Sequence, residues 1–195
     1  MRSSAVIFTR RKILRSAAIA LAAVPLIVDA KKKARPNRMP AQIGDVLAFP
    51  SWEQNGALVK ASSVQAGAGP LTVFPHDQSL SVTRERYRLN QILLLRLDPQ
   101  NAQQNLDELG ADGFLAYSGI CTHTACAVSE WDGESNHFIC PCHSSEFDPV
   151  NKGKVVNGPA TRSLPSLGIK VENDLLVIVS GFSAKVGAKK KAGFP

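Results

Sequence analysis

An all-β domain behind a basic leader is the architecture this sequence predicts, and three observations carry the prediction. From Ile43 onward, short β-branched or aliphatic segments are bounded by Gly, Pro and Asn, and no repeat of fixed period interrupts them. All four cysteines and three of the four histidines fall between Cys121 and His143, so one short region concentrates the metal-binding chemistry of the chain. Charge is also segregated. Residues 1–41 hold ten Lys/Arg against one Asp, and the tail from Lys185 adds four Lys. Residues 42–184 keep nine basic and fifteen acidic residues, a net of −6.

At 195 residues and 44% hydrophobic composition, the chain suits one domain plus an appendage, with enough apolar residues for an ordinary core. The formal charge of +7 suggests nucleic acid or a membrane surface until it is divided by region. The basicity belongs to the two ends, and an acidic body is unlike a nucleic-acid footprint. No nucleic-acid partner is expected.

The leader comes first. Thr9-Arg10-Arg11-Lys12-Ile13-Leu14-Arg15 precedes a mostly apolar run from Ser16 to Val28, the charged-then-apolar order of an export signal. The arginine pair resembles a twin-arginine address, a route for proteins that fold and take up cofactors before crossing the membrane. Val28-Asp29-Ala30 offers a cleavage site, with Ala30 as the last leader residue. The run is shorter than the roughly 20 residues that span a bilayer and contains Pro25, which favours cleavage over anchoring. The expected location is periplasmic, either soluble after cleavage near Ala30 or held at the inner membrane by an uncleaved leader. Residues 31–41, opening Lys31-Lys32-Lys33-Ala34-Arg35-Pro36, read as a solvated linker.

Residues 42–184 read as the domain. Strands are expected at Asp45–Phe49, Ala57–Val64, Leu71–Phe74, Leu80–Thr83, Gln91–Leu97 and Phe114–Ser118. Asn101 to Gly110 reads as a short helix or a surface loop. His137-Phe138-Ile139-Cys140 and Lys154-Val155-Val156 read as strands flanking a Cys-rich loop. Ile169–Glu172 and Leu175–Ser180 read as a closing hairpin around Asn173-Asp174. His76 and His137 are expected to be ordinary surface or turn residues, and Trp52 and Trp131 packing or surface groups. The tail 185–195 reads as a solvated basic end.

The site itself consists of Cys121-Thr122-His123-Thr124-Ala125-Cys126 and Cys140-Pro141-Cys142-His143-Ser144-Ser145-Glu146-Phe147-Asp148. One Cys and one His at C-x-H spacing and another pair at C-x-x-H spacing can converge from two tight turns on one metal centre. Cys126 and Cys142 are then left over, and a disulfide tying the two loops is the natural reading. Three readings compete for the six residues. Two plain disulfides leave His123 and His143 without a role. A structural zinc site has suitable ligands, but zinc motifs commonly pair C-x2-4-C with H-x3-5-H, whereas each half here mixes the two. The mixed distribution suits a [2Fe–2S] cluster in which two histidines replace two cysteines on one iron.

Cys-Thr-His-x-x-Cys followed by Cys-Pro-Cys-His-x-Ser-x-Phe-Asp resembles the paired cluster-binding boxes of Rieske iron–sulfur proteins. The resemblance implies an antiparallel β-sandwich with a small cluster-binding subdomain at about 118–162. It implies that Cys121 and Cys140 hold the inner iron, that His123 and His143 hold the outer iron, and that Cys126 and Cys142 form the disulfide beneath. Gly158-Pro159-Ala160 is similar to the proline-containing loop that covers the cluster, and Ser145 stands where the family uses a hydroxyl toward a bridging sulfide. The likeness spans about residues 112–182 and is loose over 42–111.

In function, the resemblance implies an electron-transfer subunit rather than a stand-alone enzyme, with one Rieske-type [2Fe–2S] cluster and a c-type cytochrome or similar acceptor. The first expectation is the iron–sulfur subunit of a quinol-oxidising cytochrome b/c complex. The alternative is the electron-carrying small subunit of a periplasmic molybdenum oxidase resembling arsenite oxidase. Phe147 stands where high-potential members carry tyrosine, and Thr124 and Ala125 stand where quinol-oxidising members usually carry leucine and glycine. The cytosolic Rieske ferredoxins and oxygenases normally lack the disulfide pair and an export signal, which argues against that class.

Overall fold

The computed structural model describes residues 35–98 and 111–189. The leader with Arg10 and Arg11, the expected cut after Ala30 and the 101–110 segment lie outside the described residues. Within them the chain forms eleven strands: β1 (Val46–Ala48), β2 (Leu71–Asp77), β3 (Val82–Thr83), β4 (Ile92–Arg96), β5 (Phe114–Ser118), β6 (Glu130–Asp132), β7 (His137–Cys140), β8 (Ser145–Asp148), β9 (Lys154–Asn157), β10 (Leu167–Glu172) and β11 (Leu175–Phe182). Among the described residues no helix is long and apolar enough to cross a membrane.

Seven strands make one antiparallel sheet in the order β10-β11-β1-β2-β4-β5, with β3 on β2. Its two outer strands approach each other. Tyr117 bridges Ser166, and Ser118 N donates to Pro165 O at 2.8 Å, so the sheet curls into a near-barrel. The other four strands form a meander, β6-β7-β8-β9, inserted between β5 and β10.

Strand β4 explains how the two sheets join. Its sequence, Ile92-Leu93-Leu94-Leu95, shows no apolar/polar alternation, because both of its faces are buried. Ile92 and Leu94 enter the barrel core with Leu47, Phe114 and Ile178. Leu93 and Leu95 enter a second core with Leu115, Tyr117, Phe138 and Phe147, which welds the meander to the barrel. Both free cysteines, Cys121 and Cys140, line that second core, so the site is rooted in packed side chains.

The β10–β11 hairpin turns through Asn173 and Asp174 at φ 51° and 63°, the left-handed pair a two-residue hairpin requires. Four expectations need correction. Ala57–Val64 makes only isolated bridges at Leu58 and Lys60, and residues 61–63 form a 3-10 turn. Side chains take over the backbone there: Ser62 N donates to Asp174 Oδ1 at 2.8 Å, and the Arg96 guanidinium donates to Val64 O at 3.1 Å. Strand β2 continues to Asp77 through Pro75, which is tolerated because β4 pairs only Leu71–Val73 and Pro75 owes that ladder no N–H. Leu80–Thr83 shrinks to two strand residues, since Asp77 Oδ1 accepts from Ser79 Oγ and Leu80 N in a local turn. Strands β6 and β8 were not expected. β8 lies inside the Cys-rich stretch and alternates buried and half-buried residues.

The two ends of the domain are also tied down. Asn90 Nδ2 donates to Met39 O, and Arg84 Nη1 donates to Pro36 O, so residues 35–41 pack on the domain rather than trailing as linker. At the other end the Arg162 guanidinium donates to Lys185 O and Gly187 O, and Gly187 is buried. Neither histidine outside the Cys pairs lies in a turn. His76 is within β2, its Nδ1 2.9 Å from Thr83 Oγ1, and burial pushes its pKa down. His137 opens β7. Trp131 packs on Phe138 with ring centroids 5.4 Å apart.

Candidate metal centre

Strand β5 delivers the first ligand loop. After Ser118 the chain turns at Gly119, and Cys121 to Cys126 close on themselves: Cys121 N donates to Cys126 O at 2.8 Å and Ala125 N to Cys121 O at 3.1 Å. The closure puts Ala125 at φ 62°, a left-handed conformation that costs a residue with a Cβ about 1–2 kcal/mol. The second loop is the β7–β8 hairpin, in which Cys140 pairs with Ser145 and the four residues between them make the turn.

These two loops bring all four expected donors together in pairs. Cys121 and Cys140 are 0% and 1% exposed and their thiols lie side by side. Burial pushes the Cys121 thiol pKa up, partly opposed by the His123 N–H and the Ser145 hydroxyl. His123 and His143 form the outer pair, with ring centroids 4.8 Å apart and planes at 84°. His123 is half-buried and His143 exposed. The thiols thus form an inner pair and the imidazoles an outer one.

Cys126 and Cys142 are joined by a disulfide across the two loops, closing a 16-residue separation. The Sγ atoms of Cys126, Cys140 and Cys142 lie within 4.8 Å of one another, but two of them are bonded as disulfide and have no thiolate to offer a metal. The bridge is therefore a brace next to the site. For a loop of this length the chain-entropy estimate is about 3 kcal/mol. The Cys126→Ser, Cys142→Ser protein is expected to lose about that much stability in urea titration and to lose iron faster; an unchanged midpoint would contradict the bracing role.

A third loop closes the site. Gly158, at φ 83°, is pressed so closely on the second loop that a Cβ there would lie 2.5 Å from Ser144 O and Ser145 Cα. Two residues on, Ala160 N donates to Ser145 Oγ at 3.1 Å. Ser145 is wholly buried and so links the third loop to the Cys121 thiol. Phe147 is also 0% exposed and faces Phe138 across the β7–β8 ladder.

Other groups that hold the loops carried no sequence signal, because their contacts cross long separations. Thr122 Oγ1 donates to Arg162 O at 2.6 Å, and the Arg88 guanidinium donates to Ala125 O. Tyr117 Oη donates to Pro149 O at 2.8 Å. Gln91 fills the space beside Gly119, where a Cβ would meet its Cγ at 2.7 Å.

One of the four donors has an unmet demand. His123 Nδ1 is buried without a hydrogen-bond partner, an arrangement that metal ligation would satisfy. Two buried thiols and two imidazoles match the donor types of a [2Fe–2S] centre with mixed ligation. The residues present fit that group.

Fold and site together define a β domain with a paired Cys/His cluster centre braced by a disulfide. A family model for the Rieske [2Fe-2S] domain matches residues 55–168, well over half of the chain. The protein belongs to the Rieske [2Fe-2S] domain family, whose cofactor is one [2Fe–2S] cluster. It is 39% identical over 97 residues to the cytochrome bc1 complex Rieske iron-sulfur subunit of Corynebacterium glutamicum, covering 47% of this chain and 24% of that protein. It is 43% identical over 76 residues to a protein of Haloferax mediterranei described as a candidate Rieske subunit of a respiratory nitrate reductase, covering 38% and 34%. The matches thus span about a quarter to a third of those relatives. Among solved structures, the soluble domain of the Rieske protein II from Sulfolobus acidocaldarius aligns with a TM-score of 0.38 and 24% identity, covering 56% of this chain and 70% of that one.

Proposed function

We propose that this protein carries single electrons through one [2Fe–2S] cluster held by Cys121, Cys140, His123 and His143, as the iron–sulfur subunit of a quinol-oxidising respiratory complex. The observation that carries the reading is the division of the four donors, two thiols sealed in the second core and two imidazoles meeting at the surface. Likeness to a bc1 subunit supports the quinol-oxidising context. A periplasmic setting reached through the Arg10–Arg11 leader belongs to the same proposal.

When bound, the cluster supplies one-electron chemistry at a potential raised by its two neutral imidazoles, into a range of about −150 to +300 mV. The chain supplies the rest. Burial of Cys121 and Cys140 keeps water from the inner side, while the exposed edge of His143 gives electrons a short exit. The Ser145 hydroxyl points at the Cys121 sulfur and favours the more negative state there. Ser145→Ala is expected to lower the potential by some tens of millivolts, given about 59 mV per factor of ten for one electron. Protein-film voltammetry checks it, and an unchanged or raised value would refute the assigned role.

A second reading, the small subunit of a periplasmic molybdenum oxidase, is favoured by Phe147, which has no hydroxyl to offer, and by the exposed Thr124 at the loop tip. Purification from native membranes separates the two: haem b accompanying the protein supports the first, molybdenum the second. For the cluster itself, two iron and two labile sulfides with a Rieske-type EPR signal are expected, and single Ala substitutions at the four ligands should abolish both. Stoichiometric zinc in iron-replete protein, with no such signal, would overturn the proposal.

A further inference from the structure

We propose that the face flanking the first ligand loop, built from Trp52, Arg86, Arg88, Arg162 and Lys185, is the docking surface for an acidic redox protein. The inference rests on the electron-transfer reading and names the chemistry of the partner. Three of the five residues are fixed around the loop by hydrogen bonds already described. The Arg88 guanidinium holds Ala125 O, and Arg162 holds the carbonyls of Lys185 and Gly187. Gly187 in turn lies on the loop, where a Cβ would be 3.3 Å from Ala125 Cβ and 3.4 Å from Ile120 Cγ2.

Both guanidiniums give their hydrogen bonds to neutral carbonyls, and neither forms an ion pair with a carboxylate among the described residues. Their charge is therefore not neutralised within the chain. Arg86 and Arg88 also line a shallow cavity of about 340 Å³ with Trp52, Phe74, Gln91 and Glu85. Trp52 is 73% exposed, yet its ring stands edge-on against the buried Phe74 at 6.0 Å, so a large aromatic group is held in position at the surface. An exposed, positioned Trp among arginines is the composition of an interface hot spot.

Two carboxylates share the region. Glu85 is tied up by Ser51 N and Oγ at 2.8 and 2.9 Å, and Glu53 neighbours Trp52 in sequence. Three arginines and a lysine outweigh them. At the other end of the strands the charges are mixed: Asp98, Asp112, Glu172 and Asp174 stand with Lys60, Arg96 and Lys170, and Lys170 pairs with Glu172 at 2.8 Å. A body of net charge −6 thus turns a positive face toward whatever approaches the ligand loop, which orients an acidic partner and repels a basic one.

The test follows oxidation of the reduced, cluster-loaded protein in stopped flow, using an acidic and a basic c-type cytochrome of matched potential, and benzoquinone as a neutral small acceptor. At low salt the acidic cytochrome is expected to react at least about tenfold faster than the basic one, the preference vanishing near 0.5 M salt, where screening reaches a few ångströms. Arg86→Glu with Lys185→Glu should remove that preference, and Trp52→Ala should slow the acidic cytochrome about tenfold or more. None of these three side chains bonds the ligand loop, so the EPR spectrum and the benzoquinone rate should stay as in the parent. Equal rates for the two cytochromes, or rates indifferent to these substitutions, would overturn the docking surface while leaving electron transfer intact. Failure of benzoquinone as well would strike the electron-transfer reading itself. Salt-sensitive binding to phosphatidylglycerol vesicles, abolished by the same substitutions without any cytochrome preference, would reassign the face to anionic lipid.

Discussion

Gly158→Ala is expected to abolish cluster retention in a protein that still folds. The residue combines φ 83° with a Cβ position 2.5 Å from Ser144 O and Ser145 Cα, and these neighbours are backbone, which cannot swing aside as a side chain does. The left-handed conformation alone costs about 1–2 kcal/mol with a Cβ. The larger consequence is displacement. Either the third loop lifts, breaking the Ala160 N to Ser145 Oγ bond, or the β7–β8 turn shifts and carries Cys140 and His143 out of register with Cys121 and His123. Iron and sulfide analysis beside the EPR spectrum should find little cluster, while far-ultraviolet circular dichroism keeps the β signature. Full iron loading with a parental spectrum would show that the loops do not depend on this close approach.

Arg84→Ala is expected to produce the largest loss of stability, about 3–5 kcal/mol, the usual effect of removing one partner from a buried ion pair. Arg84 is 3% exposed. Its Nε and Nη2 donate to the Asp45 carboxylate at 2.7 and 3.1 Å, Nη2 also donates to Asp77 at 2.8 Å, and Nη1 reaches Pro36 O. The hydrogen bond to Asp45 is the main reason the guanidinium pKa is raised. Truncation leaves Asp45, itself 4% exposed, as an uncompensated buried charge and frees the 35–41 segment. Urea unfolding monitored by Trp fluorescence measures the loss; a change below about 1 kcal/mol would mean that water replaces the guanidinium at little cost.

The site was far more legible in the sequence than the scaffold that holds it. Cys121, His123, Cys140 and His143 declare themselves by residue type and short spacing, and the remaining cysteines, Cys126 and Cys142, are bridged as the resemblance implied. The β10–β11 hairpin was readable because Asn173-Asp174 is turn chemistry within a local pattern. Ala57–Val64 was not, because its backbone bonds go to Arg96 and Asp174, residues 32 to 112 positions away. Arg88 and Arg162 escaped for the same reason: an arginine bonded to a carbonyl across 37 or 25 residues looks like any surface charge in the sequence. β8 was hidden differently, since its residues lie within the motif that drew attention to ligands rather than strands.

The insertion of the four-stranded meander between β5 and β10 has a kinetic consequence. In β6 to β9 each strand pairs with the next along the chain, so this module forms from local contacts and pays little loop-closure entropy. The barrel is different: its β1 must find β11, with Val46 opposite Val177, across the whole of the intervening domain. Non-local pairings of this kind make folding slow, on the order of milliseconds to seconds for β-barrels. The two ligand loops can thus adopt their turns, and their cysteines can be buried by β4, β5 and the meander, before β1 and β11 have paired.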